Sequence, residues 1–124
     1  HVYGTKAKHD ILMGSLNKSL DTQQFGDWFN SIHTSTDTYI LQHKIDGLSL
    51  ALIYDGGKLI KALTRGDGEK GVDVTANAYY VAGVPNVIAC EELVEIRGEC
   101  YKDKKDFYEL INSIVEYSNN KQFV

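Results

Sequence analysis

Two apolar segments joined by a glycine turn restrict most strongly what this chain can form. Residues 48–54 (LSLALIY) and 58–64 (KLIKALT) each have the length of a strand, and the first is rich in leucine together with isoleucine and tyrosine. Residues 55–57 between them are Asp-Gly-Gly, and glycine tolerates the positive φ angles of tight hairpin turns. The sequence therefore predicts an antiparallel β-hairpin.

The segments on either side of the hairpin predict further strands and helices. Strands are predicted at residues 39–44 and 93–101, and helices at residues 21–32, 74–81 and from Asp103 onward. An aspartate precedes or opens each helix and can cap it, whereas the glycine-rich residues 65–73 are expected to form a loop. This order predicts a mainly antiparallel sheet with flanking helices, an α+β fold.

The composition excludes several classes of protein. A chain of 124 residues has room for one domain. Its net charge of −4 argues against a broad nucleic-acid-binding surface, because such surfaces are normally basic. The longest apolar run, residues 48–54, is far too short to span a bilayer. Cys90 and Cys100 fit neither a metal spacing nor a disulfide framework, so a reducing, cytosolic setting is expected.

The lysine motif KIDG, residues 44–47, is the first candidate for chemistry. An amine attacks phosphorus only when it is deprotonated, so a nucleophilic Lys44 needs either desolvation between apolar strands or a neighbouring cation such as Arg65. Asp46 would share the face of Lys44 if the strand continued, and could orient the ammonium group or accept its proton. A lysine extending from a strand end, with a salt bridge at a turn, is the structural alternative.

A second candidate is the segment TRGDGEKGVDVT, residues 64–75. Its glycines can present backbone N–H groups to phosphate oxygens, and Arg65 can add a guanidinium. It is not a Walker loop, because the final Gly-Lys-Ser/Thr is missing, and it lacks the alternating acids of an EF-hand. A flexible exposed hairpin is the alternative.

The third candidate is EIRGE, residues 95–99. On a strand Arg97 and Glu99 point to the same side, and Glu99 could accept hydrogen bonds from a pair of ribose hydroxyls. The alternative is a cross-strand ion pair on a solvated face.

Together the three motifs resemble one family, the adenylation domain of bacterial and viral NAD-dependent DNA ligases. The stretch from Lys44 to Pro85 is similar, without a gap, to that family's nucleophile motif, hairpin and Thr-Arg-Gly-Asp-Gly loop. LVEIRGECY resembles its Arg-Gly-Glu strand, and MGSLNKSL resembles its upstream Ser-Leu segment. The resemblance implies that residues 1–124 are part of a single adenylation domain with a partial nucleotidyltransferase (ATP-grasp-like DNA ligase adenylation) fold.

The resemblance also implies a role for individual residues. Lys44, assisted by Asp46, would attack NAD and become adenylylated. The residues implied in binding the nucleotide are Ser15, Leu16, Gln42, Lys44, Arg65 and, at the ribose, Glu99. Gln42 stands where the family usually has a glutamate that reads the adenine amino group, and its carbonyl can accept the same hydrogen bond. Val72 stands where the family usually has a glutamate, so a role for that carboxylate is not carried over.

The family's reaction implies NAD as adenylyl donor, a divalent cation such as Mg²⁺, and nicked duplex DNA as the partner of the full-length enzyme. No metal ligand is implied within this chain, and a cytoplasmic monomer without membrane attachment is expected. The chain starts with His1 and stops at Val124 just after a helix-like segment, so it is expected to be a piece of a longer protein. The family's phosphate-contacting lysines would lie beyond it, so the 124 residues alone are expected not to seal nicks.

Two alternatives stay open at this point. One is a related nucleotidyltransferase that uses ATP or GTP, such as an RNA ligase or a capping enzyme, because these share the Lys-x-Asp-Gly motif. The other is a module that binds a nucleotide without turnover.

Overall fold

The computed structural model describes the backbone of residues 4–121 and the side chains of residues 4–115. Within these residues the elements, in chain order, are β1 Lys6–Lys8, α1 Thr22–Ile32, β2 Leu48–Asp55, β3 Lys58–Thr64, β4 Lys70–Val72, α2 Thr75–Ala78, β5 Val94–Cys100 and α3 Lys104–Lys121. The predicted α+β class with antiparallel strands is confirmed.

The larger sheet has the strand order β3-β2-β5, and both pairings are antiparallel. The predicted hairpin joins β2 to β3, and Gly56 and Gly57 in its turn have φ angles of 55° and 74°. Such left-handed conformations favour glycine, as the turn type requires. Because β5 pairs along the other edge of β2, the first hairpin strand becomes the central strand of the sheet.

One face of this sheet carries the main core. Alternate residues Leu50, Leu52 and Tyr54 of β2 point to that face and pack with Leu59 and other buried residues of β3 and α2. Tyr54 is fully buried, which raises the pKa of its phenol. Its hydroxyl donates a hydrogen bond to the Pro85 carbonyl at 2.8 Å, so this buried polar group is paired.

The helix predicted at residues 74–81 is shorter in the structure, Thr75–Ala78, and its N-cap is Val74, which makes no side-chain cap hydrogen bond, and not the predicted Asp73. The Asp73 carboxylate accepts hydrogen bonds from the Thr75 hydroxyl at 2.6 Å and from the Thr75 N–H at 3.0 Å. These two bonds lower the pKa of Asp73 because they stabilise the charged form. The Thr75 hydroxyl oxygen in turn accepts from the Ala62 N–H at 2.9 Å, which ties α2 to β3.

The first and last helices begin where the sequence predicts. Asp21 caps α1 by accepting from the Gln24 N–H at 2.8 Å, and Asp103 accepts from the Asp106 N–H at 2.9 Å at the start of α3. No residue of α1 is buried, and Phe25 and Trp28 stay about half exposed. None of the helices in the described part of the chain has the length and apolar character needed to cross a membrane.

The strand predicted at residues 39–44 is wrong. Within the described residues, the chain from 33 to 47 forms neither helix nor strand. Ile40 and Leu41 are 83% and 99% exposed, so their side chains contribute little packing. A strand requires a paired neighbour, and residue preference alone does not supply one.

The expectation that residues 65–73 form only a loop is also wrong. Residues Lys70–Val72 form β4, which pairs with β1 in the register Lys6↔Val72 and Lys8↔Lys70. Both strands are three residues long and contain lysine or glycine, so neither has the apolar alternation by which strands are recognised. Their pairing joins segments more than 60 residues apart, which local patterns do not reveal.

Candidate active site

The topology brings the three sequence motifs to one edge of the larger sheet. The KIDG motif precedes β2, the Arg-Gly-Asp-Gly segment follows β3, and Glu99 lies near the end of β5. Because β2 is antiparallel to both neighbours, its start lies beside the ends of β3 and β5. Segments separated by up to 52 residues are therefore in direct contact.

Ser49 is the residue through which the motifs are joined. Its carbonyl accepts a hydrogen bond from the Arg65 N–H at 3.1 Å. Its hydroxyl donates to Glu99 Oε2 at 2.8 Å, since the two residues lie directly opposite each other on β2 and β5. Ser49 thus links the arginine segment to the glutamate.

The Glu99 carboxylate also reaches the nucleophile motif. Its Oε1 accepts from the Gly47 N–H at 3.2 Å, three residues after Lys44. A Cβ atom at Gly47 would collide with the Cys100 carbonyl, so only glycine lets β5 approach this closely. The end of the KIDG motif is therefore held against β5.

The predicted alternative for Glu99, a cross-strand ion pair, is not what the structure contains. Arg97 instead pairs with Glu95 on its own strand, with Nε and Oε1 2.6 Å apart. Both oxygens of Glu99 are used by Gly47 and Ser49. Glu99 thus holds the start of β2 against β5 at this edge.

Lys44 itself does not occupy the predicted environment. The sequence offers desolvation between apolar strands, or a neighbouring Arg65, as the means of activating Lys44, but in the structure Lys44 is exposed, as are Gln42 and Asp46. The cause is the missing strand at residues 39–44, without which no second apolar wall forms. Within the described residues, no hydrogen bond or ion pair joins these three side chains to Arg65 or Glu99.

Arg65 is half-buried and connects the sheet edge to the upstream segment. Its Nε donates to the Met13 carbonyl at 3.3 Å, and its own carbonyl accepts from His9 Nε2 at 3.2 Å. Met13 is only 5% exposed, and its N–H donates to the Gly68 carbonyl at 3.0 Å. The chain is therefore fixed two residues before Ser15.

The glycine-rich segment after β3 begins with a hydrogen-bonded turn. Asp67 Oδ1 accepts from the N–H groups of Lys70 at 2.7 Å and Glu69 at 2.9 Å. These hydrogen bonds lower the pKa of Asp67, and the bond from the Lys70 N–H has the largest effect. Gly66 has a φ of 59°, and a Cβ there would collide with the Lys70 carbonyl. The carboxylate thus shapes the turn that follows Arg65.

An open cavity of about 370 Å³ lies on the core face of β2 and β5, and Glu99 is one of its lining residues. This volume is within the range of sites for small molecules, and such sites combine apolar walls with a few polar groups. The apolar walls here come mainly from Leu50, Leu52, Ile96 and residues 81–85. No group of three or more His, Cys, Asp or Glu among the described residues is arranged to hold a metal ion.

Comparison with known proteins identifies the family of the chain. A family model described as "NAD-dependent DNA ligase adenylation domain" matches residues 4–124. The chain belongs to this family.

Curated relatives of this adenylation-domain chain carry the name DNA ligase. The DNA ligase of Mycoplasmopsis pulmonis is 43% identical over 114 residues, which are 90% of this chain and 17% of the relative. The DNA ligase of Malacoplasma penetrans is 44% identical over 87% of this chain and 16% of its own length. That of Cereibacter sphaeroides is 41% identical over 82% and 15%. The chain thus spans about one-sixth of the length of these ligases.

Three residues that organise this part of the adenylation domain, His9, Met13 and Ser49, were not singled out from the sequence. Arg97 was singled out, but its partners were not predicted. Each of the four acts through the backbone of a distant segment; His9 Nε2, for example, donates to the Thr64 carbonyl at 3.0 Å, 55 residues away. Every residue offers a carbonyl, so such pairings leave no pattern in the sequence.

Proposed function

We propose that this chain carries the adenylate-accepting centre of an NAD-dependent DNA ligase. The deprotonated Lys44 amine attacks the adenylyl phosphorus of NAD, nicotinamide mononucleotide leaves, and a lysyl-AMP phosphoramidate remains. A 5′-phosphate oxygen at a DNA nick then attacks the same phosphorus and releases Lys44. Finally the 3′-hydroxyl attacks the 5′-phosphorus, seals the strand and expels AMP. NAD is a substrate in this scheme and is consumed.

The binding residues are proposed from the resemblance and from their place at the sheet edge. Glu99 accepts hydrogen bonds from the ribose, Arg65 contacts the nucleotide from the end of β3, and Gln42 accepts the adenine amino group. Ser15 and Leu16 contact the nucleotide from the upstream segment, whose path Arg65 fixes at Met13. Asp46 orients the Lys44 ammonium or takes its proton.

The observation that carries the proposal is the Glu99 carboxylate, which contacts the nucleophile motif at Gly47 and is joined through Ser49 to the start of the arginine segment. This arrangement places a hydrogen-bonding anion against Gly47, three residues after Lys44, at the sheet edge where the three motifs meet. The match of the adenylation-domain model to residues 4–124 supports the same reaction.

Two features of the proposed reaction require groups other than the described residues, namely the bound nucleotide and Mg²⁺. Lys44 is exposed, so we propose that the bound nucleotide supplies the desolvation that a nucleophilic amine needs. The family reaction implies Mg²⁺, but no acidic cluster among the described residues fits a metal ion, and no step is assigned to it. Monomeric state and cytoplasmic location stay predictions.

Self-adenylylation tests the proposed function. The complete protein, incubated with NAD, is expected to gain the mass of one AMP on Lys44 and to release nicotinamide mononucleotide. Intact-mass measurement followed by peptide mapping checks this, with ATP and GTP in parallel. Addition of nicked duplex should then remove the AMP from the protein and seal the strand.

The parallel incubations separate the alternatives. An adduct formed with ATP or GTP but not with NAD would contradict NAD dependence and indicate a nucleotidyltransferase of the RNA-ligase or capping type. Nucleotide binding without an adduct from any donor would indicate a binding module.

A second expectation concerns Glu99. We expect Glu99→Ala to weaken AMP affinity about tenfold or more, since a hydrogen bond to a charged group contributes about 1.5–3 kcal/mol. Ser49→Ala is the matched control, because it removes one partner of the carboxylate and leaves Glu99 itself in place. Calorimetric titration with AMP and thermal unfolding of both variants provide the measurement. An unchanged AMP affinity in Glu99→Ala, with a lowered Tm, would assign Glu99 a purely structural role.

A further inference from the structure

Two arginines hold three consecutive backbone carbonyls of the upstream segment. Arg97 Nη2 donates to the Ile11 carbonyl at 2.8 Å and Nη1 to the Leu12 carbonyl at 3.1 Å. Arg65 Nε donates to the next carbonyl, that of Met13, at 3.3 Å. These contacts bridge 52 to 86 residues of sequence. Residues 11–13 form neither helix nor strand, so their path depends on such individual contacts.

The side chains around the segment do not provide the same restraint. Ile11 and Leu12 are 61% and 64% exposed, and Met13 is the buried one. Beyond Met13 the chain reaches Ser15 and Leu16, and Leu16 is 83% exposed. The position of the Ser-Leu pair therefore depends on how firmly the backbone just before it is held.

Arg97 is itself oriented for this contact. Glu95, two residues earlier on β5, binds its Nε, which leaves both terminal nitrogens for the carbonyls. A planar guanidinium can donate to several acceptors in a fixed arrangement, whereas an ammonium group acts as a single point charge. Glu99 lies two residues further along the same strand, so Arg97 ties the upstream segment to the strand that carries Glu99.

We propose that Arg97 is a positioning residue for NAD: it holds the carbonyls of Ile11 and Leu12 and so places Ser15 and Leu16 relative to Glu99. This inference rests on the proposed function. Arg97 touches no reacting atom in this scheme. Its loss should therefore affect nucleotide binding much more than the chemical step at Lys44.

The test compares three variants of the complete protein in single-turnover self-adenylylation at varied NAD concentration, in which the half-saturating NAD concentration serves as KM and the limiting rate as kcat. Arg97→Ala is expected to raise KM for NAD about tenfold, because it loses at least one charge-assisted hydrogen bond. The change in kcat should stay below about threefold, because Arg97 does not contact the reacting atoms. Arg97→Lys should raise KM by about threefold, because an ammonium cannot hold both carbonyls in the same way. Glu95→Gln is the matched control: the glutamine oxygen can still accept from Arg97 Nε and keep Arg97 oriented, while the charge of Glu95 is removed, so KM should stay near the wild-type value.

A second measurement does not depend on activity. Amide hydrogen exchange in a peptide covering residues 11–16 should become faster in Arg97→Ala, because the Met13 N–H bond to Gly68 opens more often when the segment is released. Exchange in the β2–β3 hairpin should stay unchanged. This pattern distinguishes release of one segment from a general loss of stability.

Several outcomes would overturn the proposal. They are an unchanged KM in Arg97→Ala, a fall in kcat at constant KM, or a rise in KM in Glu95→Gln as large as that in Arg97→Ala. If Arg97→Ala does not fold, Arg97→Lys decides, and a wild-type KM there contradicts the proposal. Absence of any AMP adduct in the wild-type protein would instead refute the proposed function, and the exchange data would still show whether Arg97 holds the segment.

Discussion

Lys44→Ala in the complete protein is expected to abolish the AMP adduct with NAD and, with it, nick sealing. The amine is the atom that forms the bond to phosphorus in the proposed reaction, and alanine offers no nucleophile. The fold should be unaffected, because Lys44 is exposed and lies outside the strands and helices. Intact-mass analysis after incubation with NAD measures the adduct, and thermal unfolding checks that the variant is folded.

Lys44→Arg should fail equally, although it keeps the positive charge. A guanidinium stays protonated at any accessible pH and cannot attack phosphorus. Lys102→Ala is the matched control: this lysine is also exposed and outside regular structure, and its loss should leave the adduct intact. An AMP adduct on the Lys44→Ala protein would show that another residue is the nucleophile.

The second large effect is expected for the 124-residue chain by itself, which should not seal nicks even after long incubation with NAD and Mg²⁺. Phosphoryl transfer depends on cationic groups that neutralise the developing charge, and loss of a single such donor costs about 10²–10³-fold in rate. In the described residues, each of the three guanidinium nitrogens of Arg97 already donates to Glu95, Leu12 or Ile11. Arg65 is partly engaged by Met13.

DNA binding by the chain alone should be equally poor. Affinity for duplex DNA depends on clustered lysine and arginine contacts that release counterions, and the net charge of the chain is −4. We expect no gel shift with nicked duplex at physiological salt. Circular dichroism should confirm that the purified chain is folded, with the complete protein as the positive control for sealing. Efficient sealing by the chain would show that far fewer cationic groups suffice.

Features that depend on local sequence were predictable in this molecule. The hairpin of β2 and β3 follows from two apolar runs and a glycine turn, and α1 follows from helical spacing after Asp21. The strand predicted at residues 39–44 failed because residue preference does not provide a pairing partner. The pair β1 and β4 was missed because three-residue strands of lysine and glycine have no recognisable alternation.

In the candidate site, too, the local motifs were predictable and the contacts between distant segments were not. Lys44, Arg65 and Glu99 could be selected from their motifs, and the antiparallel order explains why the latter two meet at one edge. Their actual partners could not be foreseen, because Glu99 binds a backbone N–H and Arg97 binds backbone carbonyls. Such groups occur at every residue, and only the three-dimensional fold determines which of them is in reach.

The contact between Glu99 and Gly47 has a consequence for the order in which the molecule forms. The β2–β3 hairpin closes a turn of two residues, an event of about 1–10 μs in isolated hairpins. The contact of Glu99 with Gly47 closes a loop of 52 residues, and contacts between distant residues cost more chain entropy and form later. A chain with only its hairpin in place already presents the KIDG motif but lacks the Glu99 carboxylate beside it. The proposed ribose contact therefore comes into being only with the docking of β5, and nucleotide should bind the finished sheet and not its hairpin precursor.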